Sequence, residues 1–194
     1  MTTPLGPFPA RVVSVEPLGG LSLVRLDLDP GTALGEPGQF HMVRNPDGRD
    51  YLPRPIGLIR LDDGVGFVVG DPGDMAGPVL HLLGPLGRGF DLGAVDPATT
   101  LLVGAGFGLT TMPEIGCRHP GLRLIAGIRQ SDHADLVALV PGVTNLATCV
   151  APDLVTAPLE QALDGVELVL AAGPAPMGRA VAEICQRQIG RAHV

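Results

Sequence analysis

The chain has 194 residues and a net charge of −7, with no lysine- or arginine-rich block, which argues against nucleic acid as a partner. Hydrophobic residues make up 45% and aromatics only 3%, with no Trp, so a core can be built and it must be aliphatic. The three cysteines, Cys117, Cys149 and Cys185, are too scattered for a disulfide framework or a C-x-x-C metal site, and the longest uncharged stretches, around 97–113 and 136–152, are broken by Gly, Pro and Asn and make poor membrane spans.

The first residues, MTTPLGPFPAR, have neither a basic start nor an apolar h-region, so a cytoplasmic location is expected. From Arg11 to about Val95 the pattern is strand and turn. ARVVSVEPL and LSLVRLDLD alternate apolar with polar residues, with one slip of phase at Val24. GQFHMVR, PIGLIRL and GVGFVVG follow, each bounded by Gly, Pro or Asp. Short strands at about ten-residue spacing predict an all-β sandwich or barrel. Within PIGLIRL's approach, Arg54 stands between Pro53 and Pro55. Proline fixes its own φ and holds the residue before it extended, so this guanidinium is aimed rather than left to wander.

After DPATT (96–100) the pattern changes, and a domain boundary is expected near Asp96-Pro97, giving domains 1–96 and 97–194. LLVGAG, GLRLIAGIR, TNLATCVA and VELVLAAG read as strands; HADLVALV, APLEQAL and PAPMGRAVAEICQRQI read as helices between and after them. In the last, Met177, Ala180, Val181 and Ile184 recur at helical spacing. Apolar strands alternating with helices predict a parallel sheet covered on both faces.

Two glycine turns stand out. Gly104, Gly106 and Gly108 follow the first of these strands directly. Such glycines allow positive φ and close approach, and free N–H groups at a following helix start can hold a phosphate. The spacing is G-x-G-x-G rather than G-x-G-x-x-G, and the usual acidic residue about twenty positions on is missing, so a tight turn that binds nothing explains it equally well. The second turn, Gly173-Pro174 with Met177, ends the last strand. Carboxyl ends of parallel strands line a ligand crevice, so the two turns reinforce each other, though core packing alone would account for Met177. His41, His81, His119, His133 and His193 show no ligand spacing and read as surface or satisfied histidines.

Read in order, PGQFHMV (37–43), LPRPIGLI (52–59), LLGPLGRGFDL (82–92), LLVGAGFGLTTMPEI (101–115), GIRQSDHADL (127–136) and LVLAAGPAPMGRAV (168–181) resemble the ferredoxin-reductase-like flavoproteins. Within them the match is to the electron-transfer subunit of the two-subunit, NAD-linked dihydroorotate dehydrogenase of pyrimidine biosynthesis. That resemblance implies an antiparallel β-barrel that binds FAD, followed by a Rossmann-like α/β domain that binds NAD(H). It implies an oxidoreductase that passes electrons to a catalytic dehydrogenase subunit or another redox protein. Arg54 would clamp the flavin pyrophosphate, a role suited to a planar, permanently charged fork. Pro55, Ile56 and Gly57 would line the isoalloxazine edge. Gly104, Gly106 and Gly108 would admit the NAD pyrophosphate, Arg129 would touch its ribose or phosphate, and Gly173, Pro174 and Met177 would border the nicotinamide.

Four features depart from the family pattern. Gly57 stands where a Ser or Thr is usual; 70–78 has no G-x-G-T turn; Ala172 replaces a cysteine; and no cysteine-rich tail follows, so no [2Fe–2S] cluster is expected in this chain. The same departures leave open an alternative: a reductase fold without redox activity, serving as a nucleotide-binding or protein-interaction module.

Overall fold

A computed structural model describes residues 7–49 and 52–189, and the chain divides into two compact units between Gly89 and Phe90. His193, one of the histidines considered above, lies outside the described residues.

The first unit holds seven strands: β1 (Phe8–Leu18), β2 (Leu21–Leu28), β3 (Phe40–Arg44), β4 (Arg54–Ile56), β5 (Ile59–Leu61), β6 (Gly64–Val69) and β7 (Val79–Leu86). They form one sheet in the order β4-β3-β7-β1-β2-β6-β5, and each pairing is antiparallel. The two edge strands, β4 and β5, are joined only by Gly57 and Leu58. In a flat sheet, six inter-strand steps of about 4.8 Å would hold those edges roughly 29 Å apart. Three Cα steps of about 3.8 Å reach only about 11 Å. The sheet therefore curls until its edges meet, which makes it a barrel with its seam at Ile56–Ile59.

This corrects one detail of the sequence reading. PIGLIRL is not one strand but two, on opposite edges of the sheet. Another difference is β7, a strand that the pattern does not predict because Gly84 and Pro85 interrupt it. Gly84 is needed there. A Cβ on it would lie 2.5 Å from Cδ2 of the His41 ring. The phase slip at Val24 also resolves. Val24 and Leu26 point into the barrel core with Ala10, Val43, Ile56, Phe67, Leu80 and Leu82, whereas Leu21 and Leu23 are buried outside that cluster. Strict alternation along the strand is preserved.

The second unit holds four parallel strands, β8 (Thr100–Ala105), β9 (Arg123–Ile128), β10 (Thr144–Val150) and β11 (Leu168–Ala172), in the order β10-β9-β8-β11. Four α-helices accompany them: α1 (Met112–Arg118), α2 (Asp135–Ala138), α3 (Thr156–Ala162) and α4 (Ala175–Gln188). Leu101 and Val103 of β8 pack with Leu159 of α3 and Val181, Ile184 and Cys185 of α4. Leu102 and Leu124, on the opposite face, are equally buried. Both faces are thus covered, which is why β8, β9 and β11 read as continuous apolar runs rather than alternating ones, whereas the edge strand β10 is largely exposed. The barrel followed by a Rossmann-like parallel sheet is the architecture expected from the sequence. No helix among the described residues is long and apolar enough to cross a membrane.

Candidate functional site

In the barrel, the candidate residues lie on β4 and its seam. Arg54 pairs with Val43, Pro55 with Met42 and Ile56 with His41. Arg54 and Pro55 are exposed, Gly57 is half-buried, and Ile56 is anchored in the core. Extended backbone at Arg54 is what the following proline dictates. The strand therefore carries an exposed arginine on a backbone fixed by Pro55 and by the ladder to β3.

The segment 70–78 does not form an α-helix. It makes a four-residue 3-10 turn, Gly73–Ala76, whose entry is closed by the Asp71 carboxylate accepting the Gly73 N–H at 3.0 Å. Met75 is fully buried in the barrel core, and Gly77 packs on the Asn45 amide, just past the end of β3. A flavin pyrophosphate would thus find the Arg54 fork on one side. On the other it would meet a short turn with a carboxylate at its entry instead of a helix N-terminus. The fit to a flavin rests on β4 and the seam, not on this turn.

His41 corrects the sequence reading. It is neither exposed nor satisfied: only 1% of its surface is accessible, Nε2 lies 3.2 Å from the Ala33 carbonyl, and Nδ1 is buried with no hydrogen-bond partner. Phe8 meets the ring edge-on at 5.9 Å. Burial pushes its pKa below the ordinary imidazole value, partly offset by the contact with Ala33.

In the second unit the strand order fixes where a ligand would sit. Chain order runs outward from β8 through β9 to β10, then jumps back to β11 on the other side of β8. Such a reversal opens a crevice at the carboxyl ends of the two strands that flank it, β8 and β11. The two glycine turns lie there, on neighbouring strands: Ala172 of β11 pairs with Gly104 of β8.

The glycines serve different purposes. A Cβ on Gly104 would lie 2.6 Å from Leu109 Cδ2. A Cβ on Gly108 would collide with the Ala172 carbonyl. A Cβ on Gly173 would lie 2.9 Å from Met177 Cε and 3.2 Å from Ala105 Cβ. These three glycines therefore let the two turns pack on each other and on their own side chains. Gly106 differs: its φ is +53°, and open space surrounds the position a Cβ would take. It is the glycine of the four that leaves room for a ligand. Gly106–Thr111 form a 3-10 turn before α1. The Thr110 hydroxyl donates to the Phe107 carbonyl at 2.7 Å and the Thr111 hydroxyl to the Gly108 carbonyl at 2.8 Å, which fixes the turn.

Pro174 caps α4, with Pro176 in its first turn. Met177 is half-buried against the core, so it serves in packing as well as bordering the turn. Arg129 is exposed and directly follows β9, the strand next to β8. The sheet thus brings Gly104, Gly106, Gly108, Gly173, Pro174, Met177 and Arg129 to one crest. Arg54, Pro55, Ile56 and Gly57 lie together in the other unit. Two features were not singled out by the sequence pattern: the buried imidazole of His41 and the exposed ring of Phe107 on the crest.

No family model matches the chain. The dihydroorotate dehydrogenase B (NAD(+)) electron transfer subunit of Shouchella clausii is 30% identical over 171 residues, covering 76% of this chain and 66% of that protein. The corresponding subunit of Fusobacterium nucleatum is 37% identical over 92 residues, covering 41% of this chain and 36% of that protein. The aligned regions thus span from about a third to just under two thirds of these relatives' own length. Among solved structures, the cytochrome P450 reductase of Amycolatopsis superposes with a TM-score of 0.73 at 22% identity, over 99% of this chain and 70% of that one. The ferredoxin-NADP+ reductase of Plasmodium falciparum gives 0.69 at 9% identity, over 93% and 89%. At these identities the solved structures share the fold. The chain has the ferredoxin-reductase-like fold, with electron transfer subunits of dihydroorotate dehydrogenase B as its relatives in sequence.

Proposed function

We propose that this chain is a flavin-dependent electron-transfer component that passes reducing equivalents between NAD(H), FAD and a partner redox protein. The observation that carries this reading is the crest of the second unit. Two glycine turns, Gly104–Gly108 and Gly173–Met177, meet where the strand order of a parallel sheet reverses. That is the position at which open α/β sheets take dinucleotides.

When bound, the flavin accepts a hydride from the nicotinamide and hands electrons on; the protein supplies position and electrostatics. Arg54 holds a flavin phosphate through a fork whose charge does not titrate away. Pro55, Ile56 and Gly57 shape the ring's edge at the barrel seam. Gly57 offers no hydroxyl there, so one hydrogen bond, about 1 kcal/mol, is forgone. The open side of Gly106 receives the nicotinamide nucleotide's phosphates, and Arg129 meets its ribose or phosphate. By analogy with the relatives' names, the partner is a catalytic dehydrogenase subunit of the dihydroorotate type.

The test is spectroscopic. Purified protein is mixed with FAD, freed of excess flavin and titrated with NADH without oxygen. A retained yellow chromophore that NADH bleaches is the expected result; protein that retains no flavin and oxidises no NADH refutes the proposal.

A further inference from the structure

Phe107 is the exposed aromatic residue of the crest. The chain has five phenylalanines, and four of them, at 8, 40, 67 and 90, are buried or half-buried, whereas Phe107 exposes 53% of its surface. An isolated exposed apolar residue needs no explanation, but this one is held unusually well. Gly106 on one side takes a positive φ, and Gly108 on the other is wedged against the Ala172 backbone. The Phe107 carbonyl is tied down by Thr110, and the next side chain, Leu109, is fully buried. The backbone is thus anchored on both sides while the ring is left in solvent.

The surroundings indicate what such a ring would meet. Residues 104–111 and 172–177 contain no charged side chain, and Gly173, Pro174 and Pro176 of the second turn are exposed. This crevice offers an aromatic face and apolar edges. That chemistry suits a flat ring lying beside the phosphates assigned to Gly106. A backbone fixed in advance also lowers the ordering cost of binding.

We propose that Phe107 stacks on a planar heteroaromatic ring of the bound dinucleotide and so contributes to its positioning. This rests on the nucleotide reading given above. The ring could be the adenine or the nicotinamide, and the experiment separates them.

Because the chain has no Trp, Phe107→Trp introduces a single indole at the crest. Its fluorescence is followed during titration with NADH, with ADP-ribose and with reduced nicotinamide mononucleotide. Quenching by ADP-ribose assigns the adenine; quenching by the mononucleotide assigns the nicotinamide. Quenching by neither, with NADH bound, overturns the inference. In parallel, calorimetry compares NADH binding to the unaltered chain, Phe107→Ala and Phe107→Tyr. Loss of a stacked ring should weaken binding about 3- to 10-fold in the alanine variant, and tyrosine should restore it. The unfolding temperature should stay unchanged, as befits an exposed side chain. Equal NADH affinity in Phe107→Ala overturns the inference while leaving the nucleotide reading standing. Absence of NADH binding by the unaltered chain overturns both.

Discussion

Replacing Gly108 by alanine tests whether the two crest turns are fused by a contact that admits no side chain. The added methyl would collide with the carbonyl carbon and oxygen of Ala172 and lie 2.6 Å from the Gly173 nitrogen. Each of these is backbone, and Ala172 is held in the ladder opposite Gly104. No flexible side chain can yield, so the ends of β8 and β11 must part. Overpacking of this kind costs about 1–3 kcal/mol, and the rigid neighbours place this case near 3. For a chain of this size that lowers Tm by roughly 6–12 °C. Gly106→Ala is the control: its φ is +53° with open space around it, so only backbone strain of about 1–2 kcal/mol applies. Thermal unfolding followed by far-UV circular dichroism measures both, since no tryptophan is present to report the transition. If Gly108→Ala proved as stable as Gly106→Ala, the packing argument for the crest would fail.

The other predictions concern the barrel. Arg54→Ala should weaken flavin binding roughly 10- to 100-fold through loss of charge-assisted hydrogen bonds of about 1.5–3 kcal/mol, and Arg54→Lys should recover only part, since an ammonium cannot grip two oxygens as a fork does; fluorescence titration measures both, and unchanged affinity in the alanine variant removes Arg54 from the site. His41 has its pKa lowered in the fold by burial, so the unfolded chain takes up the proton first. Barrel stability should therefore be complete above about pH 6.5 and decline as pH falls through the lower folded pKa. Denaturant unfolding between pH 7 and 5 should show this slope in the unaltered chain and lose most of it in His41→Gln; an identical slope in both would assign the titration elsewhere.

How much of this was legible in the sequence depends on how each segment is buried. β8, β9 and β11 could be read because both faces of their sheet are covered there, which turns each into an apolar run ended by glycine or a polar turn. Barrel strands were harder. The string FHMVR looks as if Phe40 and Met42 should face inward and His41 outward, yet His41 and Val43 are the buried pair. The imidazole is buried because Gly84 on the facing strand β7 leaves a slot for it that no local pattern announces. The break between β4 and β5 was hidden in the same way. Nothing in IGLI marks Gly57 and Leu58 as a seam until the strand order places their neighbours on opposite edges. Arg54's extended conformation, by contrast, followed from Pro55 alone. Phe107 was visible in its motif, but its exposure depends on the packing of glycines on either side.

The unusual glycine spacing has a physical account of the same kind. In the dinucleotide fingerprint the second and third glycines are three residues apart, and the third permits close packing of an α-helix on a strand. Three α-helical residues advance about 4.5 Å along the axis. Here the residues after β8 enter a 3-10 turn, Gly106–Thr111, before α1 begins. Two 3-10 residues advance about 4 Å. Gly108, two positions after Gly106, therefore reaches nearly the height at which a third glycine three positions on would stand in an α-helix. Its contact with Ala172 of β11 is the close packing that such a glycine serves. The departure from G-x-G-x-x-G thus accompanies a change of helix type that keeps the glycine's height along the axis. It leaves the open side at Gly106, and the ring of Phe107 beside it, as the surface proposed to meet a nucleotide.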